Sequence, residues 1–213
     1  MHAETGKKVL VTGATGRLGQ VFVRKLQSNG WTVTALVRDA AKAKKVLPKK
    51  VEQVKADLNT ASLDILAECM RGKSVVHLAA TLDFDAPAEK LQEANVEATR
   101  RIVQAASAAH VRRLVHMSST AIYHHPDKMP IDETQAPSPS SGYGETKWEA
   151  EQIVQQGGLP YVIIRAPAIY GPGFQEGFMQ VVEFVRKGKM PVIGSGKNRI
   201  PLIHVDDAAD ALI

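Results

Sequence analysis

The chain has 213 residues, of which 44% are hydrophobic and 23% charged, and its formal net charge at pH 7 is +5. This composition is typical of a globular protein, and the length allows one domain plus part of a second. The basic residues are dispersed, without zinc-finger spacing or an aromatic-rich binding strand, so a nucleic-acid partner is not expected. No apolar stretch reaches the length of a membrane span and no signal peptide is visible, so we expect a cytoplasmic protein without a membrane partner.

Neither the cysteine content nor the adjacent histidines indicate a metal site. Cys69 is the only cysteine, so neither a disulfide within the chain nor a cysteine-based metal site is expected. It lies in "LDILAECM", a predicted amphipathic helix, and we interpret it as a packing residue. His124 and His125 are adjacent in a polar loop without a further ligand cluster, so we predict no metal site.

A glycine-rich turn follows the first apolar run. Residues 7–12 predict a buried strand and residues 17–28 predict a helix, with Gly13, Gly16 and Gly19 between and within them. Glycine permits a sharp turn and the close approach of a ligand, and the start of a helix attracts phosphate. The spacing is G-x-x-G-x-x-G and differs from the common G-x-G-x-x-G fingerprint. We therefore predict a dinucleotide site, with a purely structural turn as the alternative.

Strand and helix patterns then alternate along the chain. Continuous Val, Ile and Leu runs without polar alternation are typical of parallel strands covered by helices on both faces. The pattern predicts a doubly wound α/β fold of the Rossmann type, with a long Pro- and Ser-rich loop at 123–142. The predicted strands are 7–12, 31–37, 51–55, 74–79, 113–117 and 160–165, and the longest predicted helices are 88–109 and 143–156.

The last part of the chain has a different character. A glycine-punctuated loop precedes a helix at 178–188, two strands around a turn within 190–205, and a final helix capped by Asp206 and Asp207. The sequence stops within this final helix, and no later element is present to cover the apolar face of the helix. We therefore expect a dinucleotide-binding domain over 1–167, and over 168–213 an incomplete, smaller C-terminal substrate-binding portion that is truncated.

A tyrosine and a lysine are four residues apart at the start of a predicted helix. Tyr143 and Lys147 therefore share one helical face, and they follow a strand that ends in "SST". A free tyrosine titrates near pH 10, and a nearby ammonium group lowers that pKa. A hydride-transfer site combines a hydroxyl that binds the substrate oxygen, a tyrosine that exchanges a proton, and a nicotinamide that exchanges hydride. The alternative is an ordinary surface pair, which the preceding dinucleotide motif disfavours.

Eight short motifs together resemble the extended branch of the short-chain dehydrogenase/reductase superfamily, which comprises epimerases, dehydratases and reductases. They span nearly the whole chain: "TGATGRLG", "ADL" at 56–58, "HLAA" at 77–80, "NVEATR" at 95–100, "SSTAIY", "YGETK", "RAPAIYGPG" and "HVDDAADA". The resemblance implies that Tyr143 is the general acid/base, that Lys147 binds the nicotinamide ribose, and that Ser119 contacts the substrate. Ser118 and Thr120 are the alternatives to Ser119.

The same resemblance implies the remaining cofactor contacts. Asp57 and Leu58 would bracket the adenine, and Ala79 and Ala80 would line the cofactor path. The turn residues that would surround the pyrophosphate are Gly13, Thr15, Gly16, Arg17, Leu18 and Gly19. Relatives often pair the helices at 88–109 and 143–156 across a two-fold axis, so a homodimer is expected.

The residue at the end of the second strand indicates which cofactor is bound. NAD enzymes place an acid there to accept the ribose hydroxyls. Val37 occupies that position, Arg38 follows it, and an arginine can bind a 2′-phosphate. Arg17 could approach the same phosphate. We therefore predict NADP(H), with NAD(H) held by Asp39 as the alternative.

These residues favour an oxidoreductase that uses NADP(H) to transfer hydride at a secondary alcohol or ketone of a small molecule. One alternative is a nucleotide-sugar epimerase or dehydratase that uses bound NAD. Another is a non-catalytic dinucleotide-binding scaffold or sensor, which the Tyr143–Lys147 pair disfavours. Fold alone does not decide among them.

Overall fold

A six-stranded parallel sheet forms the centre of the molecule. The computed structural model describes residues 6–83, 85–124, 128–174, 178–192, 194–197 and 199–213. The strands are β1 Lys8–Thr12, β2 Thr32–Val37, β3 Glu52–Lys55, β4 Ser74–His77, β5 Leu114–Ser119 and β6 Tyr161–Ala166. Their order is β3-β2-β1-β4-β5-β6, which is the doubly wound Rossmann order. The predicted fold class is confirmed, and each predicted strand agrees within two residues at either end.

Helices cover both faces of this sheet. The described residues contain α1 Arg17–Ser28, α2 Ala40–Val46, α3 Leu63–Met70, α4 Ala88–Leu91, α5 Ala98–Ala108, α6 Gly142–Gln156, α7 Phe178–Arg186 and α8 Val205–Asp210. On one face, Phe22 and Leu26 of α1 pack with Val9 and Val11 of β1. On the other, Leu66 of α3 and Ile102 of α5 pack against Leu10. Adjacent β1 residues thus enter opposite cores because strand side chains alternate in direction.

The predicted helix at 88–109 contains a π-helical segment at Gln92–Glu97, between α4 and α5. Asn95 in this segment is buried, and its side chain bonds both the N–H of Thr81 (2.8 Å) and the hydroxyl of Thr146 (3.1 Å). It therefore connects the segment after β4 to α6. A buried amide with several partners fixes relative positions, because each lost bond would leave a polar group unpaired.

The C-terminal part differs from the prediction in two places. The described residues from 190 to 201 contain no strand, and the two-stranded sheet instead pairs β7 Ala168–Tyr170 with β8 Leu202–His204 in parallel. The predicted hairpin-like pair is therefore wrong, because β8 finds its partner more than 30 residues upstream. Asp206 and Asp207 lie inside the first turn of α8, and His204 is the cap that accepts from the N–H of Asp206.

Helix α8 packs against α1. Ala209 and Leu212 are buried in the same cluster as Phe22 and Leu26. Lys25 of α1 donates to both oxygens of Asp210 at 2.8 Å. The last described residues are therefore part of the layer that covers the sheet.

Candidate active site

The predicted site residues meet at one edge of the sheet. Because all six strands are parallel, their carboxyl ends lie along the same edge, where open α/β sheets bind ligands. The glycine turn follows β1, Arg38 follows β2, and Ala79 and Ala80 follow β4. Ser119 is the last residue of β5, and Tyr143 and Lys147 lie in the first half of α6.

The glycine turn is so close to neighbouring backbone that side chains at its glycines would clash. Gly13 has a φ of +68°, in the left-handed region, and a Cβ there would lie 2.6 Å from the backbone nitrogen of Ala79. A Cβ on Gly19 would overlap the carbonyl oxygen of Gly13. No side chain caps the start of α1 at Gly16. The close backbone and the uncapped helix start therefore fit a dinucleotide pyrophosphate.

Three other residues of this turn contact neighbouring parts of the chain. The carbonyl of Thr15 accepts a hydrogen bond from the Gln20 side chain at 3.1 Å. Arg17 is exposed, and its guanidinium lies 5.9 Å from the ring centroid of Phe174. Leu18 is half-buried against the core cluster around β1. The structure therefore places Arg17, rather than Leu18, on the open side of the turn.

Three consecutive residues at the end of β2 differ in their exposure and in their contacts. Val37 is buried, with 3% of its surface exposed, and Arg38 is exposed. Asp39 caps α2 by accepting from the N–H of Lys42 at 2.9 Å, a bond that lowers the pKa of its carboxyl group. This carboxylate therefore already has a structural role.

The ends of β3 and β4 border the turn. Asp57 and Leu58 are half-buried after β3, and the carboxylate of Asp57 accepts from the N–H of Asn59. The N–H of Ala79 donates to the hydroxyl of Thr12 at 3.3 Å, which holds the chain after β4 against the turn. Ala80 is exposed beyond it.

Ser119 and Tyr143 are joined by a side-chain hydrogen bond. Tyr143 is buried, with 5% of its surface exposed. Burial raises the pKa of its phenol above the usual value, and the bond with Ser119 opposes that shift. Of the three adjacent hydroxyls, Ser119 contacts Tyr143, whereas the Ser118 hydroxyl is buried without a partner among the described residues.

Lys147 is buried and binds the backbone of β5. Its Nζ donates to the carbonyl of Met117 at 2.6 Å. Burial lowers the pKa of this ammonium to about 8, and Glu151 opposes that shift. The pKa of Tyr143 is therefore raised and not lowered as expected, because burial is the dominant effect at the phenol.

Two buried histidines lie beneath the lysine. His77 of β4 and His116 of β5 are paired in register, with ring centroids 5.4 Å apart. Burial, with Lys147 nearby, lowers the pKa of His77 to about 3 and holds that of His116 well below its ordinary value. The His77 ring is bonded to Thr12 and Thr99, whereas neither ring nitrogen of His116 has a partner within the described residues. Both rings are therefore neutral near pH 7.

Glu151, Arg165 and Tyr123 form a cluster that the sequence analysis missed. Glu151 is fully buried, and Arg165 of β6 donates to its carboxylate at 2.8 to 3.2 Å. Arg165 also donates to the hydroxyl of Tyr123. The spacing of Tyr143, Lys147 and Glu151, four residues each, is the signal that would have placed this glutamate on the same helical face.

A family model decides which proteins this chain is related to. The model of the NAD-dependent epimerase/dehydratase family matches residues 9–213. The chain belongs to this family. The resemblance to extended short-chain dehydrogenase/reductase enzymes is thereby confirmed.

Relatives in the epimerase/dehydratase family include reductases. The 2-alkyl-3-oxoalkanoate reductase of Stenotrophomonas maltophilia is 32% identical over 216 residues, covering 95% of this chain and 63% of that protein. The ceramide reductase of Caulobacter vibrioides is 35% identical over 209 residues, covering 96% of this chain and 59% of that protein. The chain thus spans about six tenths of the length of these two relatives.

A solved structure of a family relative holds a nucleotide sugar. MoeE5 in complex with UDP-glucuronic acid and NAD is 30% identical, with a TM-score of 0.80, and the match covers 96% of this chain and 70% of that one. Family membership therefore supports an enzyme that acts on CH–OH groups as an oxidoreductase or an epimerase.

Two further observations concern partners. Among the described residues, no three His, Cys, Asp or Glu side chains are grouped as metal ligands would be; His125 lies outside those residues. In the part of the chain that the structure describes, no helix is both long and apolar enough to cross a membrane.

Proposed function

We propose that this protein is an NADP(H)-dependent oxidoreductase that transfers hydride at a secondary alcohol or ketone, with Ser119, Tyr143 and Lys147 as its catalytic residues. The observation that carries the proposal is the Ser119–Tyr143 hydrogen bond, which lies at the sheet edge that also carries the glycine turn. The two reductases in the family support the reaction class.

In the direction of reduction, the side chains handle the proton and the charge. The nicotinamide supplies the hydride when it is bound. Ser119 donates a hydrogen bond to the carbonyl oxygen, and Tyr143 transfers its phenolic proton to that oxygen as the alcohol forms. Because burial raises the pKa of Tyr143, the phenol holds its proton near pH 7 and is suited to act as the acid. The positive charge of Lys147 favours the phenolate left behind.

The proposal of NADP(H) over NAD(H) rests on the end of β2. Asp39 is engaged at the start of α2, so it is poorly placed to accept ribose hydroxyls. Val37 offers no acceptor, and Arg38 is exposed at the edge where a 2′-phosphate would lie. A guanidinium binds phosphate through paired charge-assisted hydrogen bonds. Thr15, Gly16, Leu18, Asp57, Leu58 and Ala80 would complete the cofactor site.

An epimerase that uses bound NAD is the second candidate, favoured by the UDP-glucuronic acid and NAD in MoeE5. In that reaction the hydride returns to the substrate, so nicotinamide is not consumed. Residues 168–213 would contribute to the substrate pocket in either case. A scaffold without activity is disfavoured by the contact between Ser119 and Tyr143.

The test is a screen of the purified protein with NADPH or NADH against ketones, secondary alcohols and UDP-sugars, following nicotinamide absorbance and the products. We expect NADPH to be consumed with a ketone at a higher rate than NADH. Epimer formation from a UDP-sugar without net nicotinamide change would establish the second candidate instead. Cofactor binding without turnover on any substrate would favour the scaffold.

A homodimer is also proposed, on the family resemblance. The apolar residues of α5 and α6, such as Ile102, Val103 and Val154, are buried within the chain. A two-fold contact across these helices would therefore involve their exposed polar residues. Light scattering should give a mass twice the 23.1 kDa of the chain, and a constant monomer mass over a wide concentration range would refute the dimer.

A further inference from the structure

The turn that follows β3 lies beside the end of β2. The N–H of Ala56 donates to the carbonyl of Val37 at 3.0 Å, so residues 57–61, the β3 turn, begin next to the exposed Arg38. In NADP(H) the 2′-phosphate is carried by the same ribose as the adenine. A 2′-phosphate bound at Arg38 therefore brings the adenine close to the β3 turn.

The backbone of the β3 turn folds back on itself. The carbonyl of Asp57 accepts from the N–H of Ala61 at 2.9 Å, and its carboxylate accepts from the N–H of Asn59 at 2.9 Å. The side chains of Leu58 and Ala61 pack against the core cluster beneath α3 and α5. Because this packing draws the turn toward the protein interior, its backbone carbonyls require hydrogen-bond donors from the protein.

Arg101 of α5 supplies two of these donors. Its Nε donates to the carbonyl of Leu58 at 2.5 Å, and its Nη2 donates to the carbonyl of Ala61. A guanidinium presents its N–H groups in a rigid planar fork, so the two bonds together fix the relative positions of the two carbonyls. Arg101 is half-buried, which strengthens both bonds relative to the same bonds in water.

The π-helical segment before α5 makes a further contact with the β3 turn. The side-chain amide of Asn59 donates to the carboxylate of Glu93 at 3.2 Å, although this bond is exposed to water. Two residues later, Asn95 bonds Thr81 after β4. One continuous helical stretch thus holds the segments that follow both β3 and β4, and Arg101 makes its most protected contacts with the β3 turn.

We propose that Arg101 is a positioning residue for cofactor binding, and that its guanidinium holds the β3 turn in the shape that receives the adenine. This inference rests on the proposed function in taking an adenosine-containing dinucleotide as the ligand. The alternative is that Arg101 only connects α5 to the sheet. In that case its loss would lower the stability of the protein and leave the affinity for every ligand unchanged.

The test compares the affinities for three ligands that all contain adenosine: NADPH, NADH and ADP-ribose. Arg101→Met removes the N–H donors but keeps an apolar side chain of similar length. The Kd for all three ligands should rise by a similar factor, about tenfold or more, the order expected when hydrogen bonds to a charged group are lost. Arg38→Ala should instead affect NADPH alone, because it acts on the 2′-phosphate. Isothermal titration calorimetry measures these affinities without turnover.

Arg100→Met is the matched control. Arg100 directly precedes Arg101 in α5, but its guanidinium bonds Glu97 at 3.2 Å and lies 3.8 Å from Glu149. Each variant loses one positive charge, so a difference between them reports the contacts of Arg101 and not the net charge. Arg100→Met should keep the wild-type affinities for all three ligands.

A second variant keeps the test decisive if Arg101→Met does not fold. Arg101→Lys keeps the positive charge but replaces the planar fork with a single ammonium group, which cannot hold both carbonyls in the same geometry. The Kd for the three ligands should then rise by a smaller common factor. The amides of residues 58–61 should exchange hydrogen faster than in the wild type. Unchanged ADP-ribose affinity in a folded Arg101 variant would overturn the inference.

The binding measurements distinguish this inference from the proposed function. A protein that loses ADP-ribose affinity in Arg101→Met but reduces no ketone would refute the proposed reaction and leave the inference intact. An active reductase with the same ADP-ribose affinity in wild type and Arg101→Met would do the reverse. In an active enzyme, Arg101→Met should raise the KM for NADPH with little change in kcat, because hydride is transferred at the other end of the dinucleotide.

Discussion

Burial acts in opposite directions on the proton affinities of the two titratable residues of the candidate active site. It raises the pKa of Tyr143, so the phenol keeps its proton, and it lowers that of Lys147 to about 8, so the ammonium is near its titration point. In both cases desolvation disfavours the charged form. The site therefore combines a protonated acid with a lysine whose charge depends on neighbouring groups.

Tyr143→Phe should abolish most of the activity. The substitution removes the proton donor but keeps the ring in its buried position, so cofactor affinity should change little. We expect turnover to fall by at least about a hundredfold, the usual scale for loss of general acid catalysis. Steady-state kinetics with NADPH and a ketone measure this effect. Tyr161→Phe, at a tyrosine that is 44% exposed on β6, is the control and should retain activity.

Arg38→Ala should discriminate between the cofactors. If the guanidinium binds a 2′-phosphate, affinity for NADPH should weaken by roughly 1.5–3 kcal/mol, the range for hydrogen bonds to charged groups. Affinity for NADH, which lacks that phosphate, should barely change. Fluorescence titration measures both, with Arg113→Ala as control, since Arg113 is exposed immediately before β5 at the opposite edge of the sheet. Tighter binding of NADH than NADPH by the wild type would contradict the assignment.

At the scale of single elements, the helices differ in how much apolar surface they bury. Helix α1 buries Phe22, Val23 and Leu26 completely or nearly so. Helix α7 instead exposes Val181, Val182, Phe184 and Val185, each by 39% or more. A helix in a protein is stabilised mainly by the packing of its apolar face. Less apolar packing therefore stabilises α7 than α1.

Hydrogen exchange should therefore show that α7 opens more easily than the sheet. We expect the amides of residues 179–186 to exchange faster than those of α1 and β1, because local opening exposes little additional apolar surface. Mass spectrometry of exchanged peptides measures the difference, and α1 serves as the internal reference. Equal protection of α7 and α1 would mean that contacts beyond those in this structure cover the α7 face.

At the scale of the whole molecule, the buried histidines connect stability to pH. His77 and His116 are neutral when folded, with pKa values lowered to about 3 and well below the ordinary value, respectively. An unfolded histidine titrates near pH 6.5. Below that pH the unfolded chain therefore binds more protons than the folded chain, and stability falls as pH decreases toward the folded-state values.

The free energy of unfolding should accordingly decrease below pH 6.5 by up to about 1.4 kcal/mol per pH unit for each buried histidine. His116→Phe should reduce this slope, since it removes the titrating ring, and should cost little at pH 7 because neither ring nitrogen has a partner among the described residues. Urea unfolding at pH 7 and pH 5 measures both effects. His124→Gln, at an exposed position, should keep the wild-type slope.

Local patterns were sufficient to predict most of the fold and the identity of the residues at the sheet edge. The apolar run at 7–12, the glycines that follow it and the spacing of Tyr143 and Lys147 are each patterns within a few residues. Such signals depend on backbone geometry that is the same in any context: a strand alternates faces, and residues four apart on a helix are neighbours. They are therefore readable without the tertiary structure.

The protonation states and the non-local pairs were decided only by the tertiary structure. Lys147 turns toward the Met117 carbonyl, and Glu151 meets Arg165, across separations of 30 and 14 residues. The pairing of β8 with β7 is likewise non-local, which is why the expected hairpin-like pair was wrong. A pKa depends on which groups surround a side chain and on how much water they exclude. Neither property can be derived from the spacing of residues along the chain.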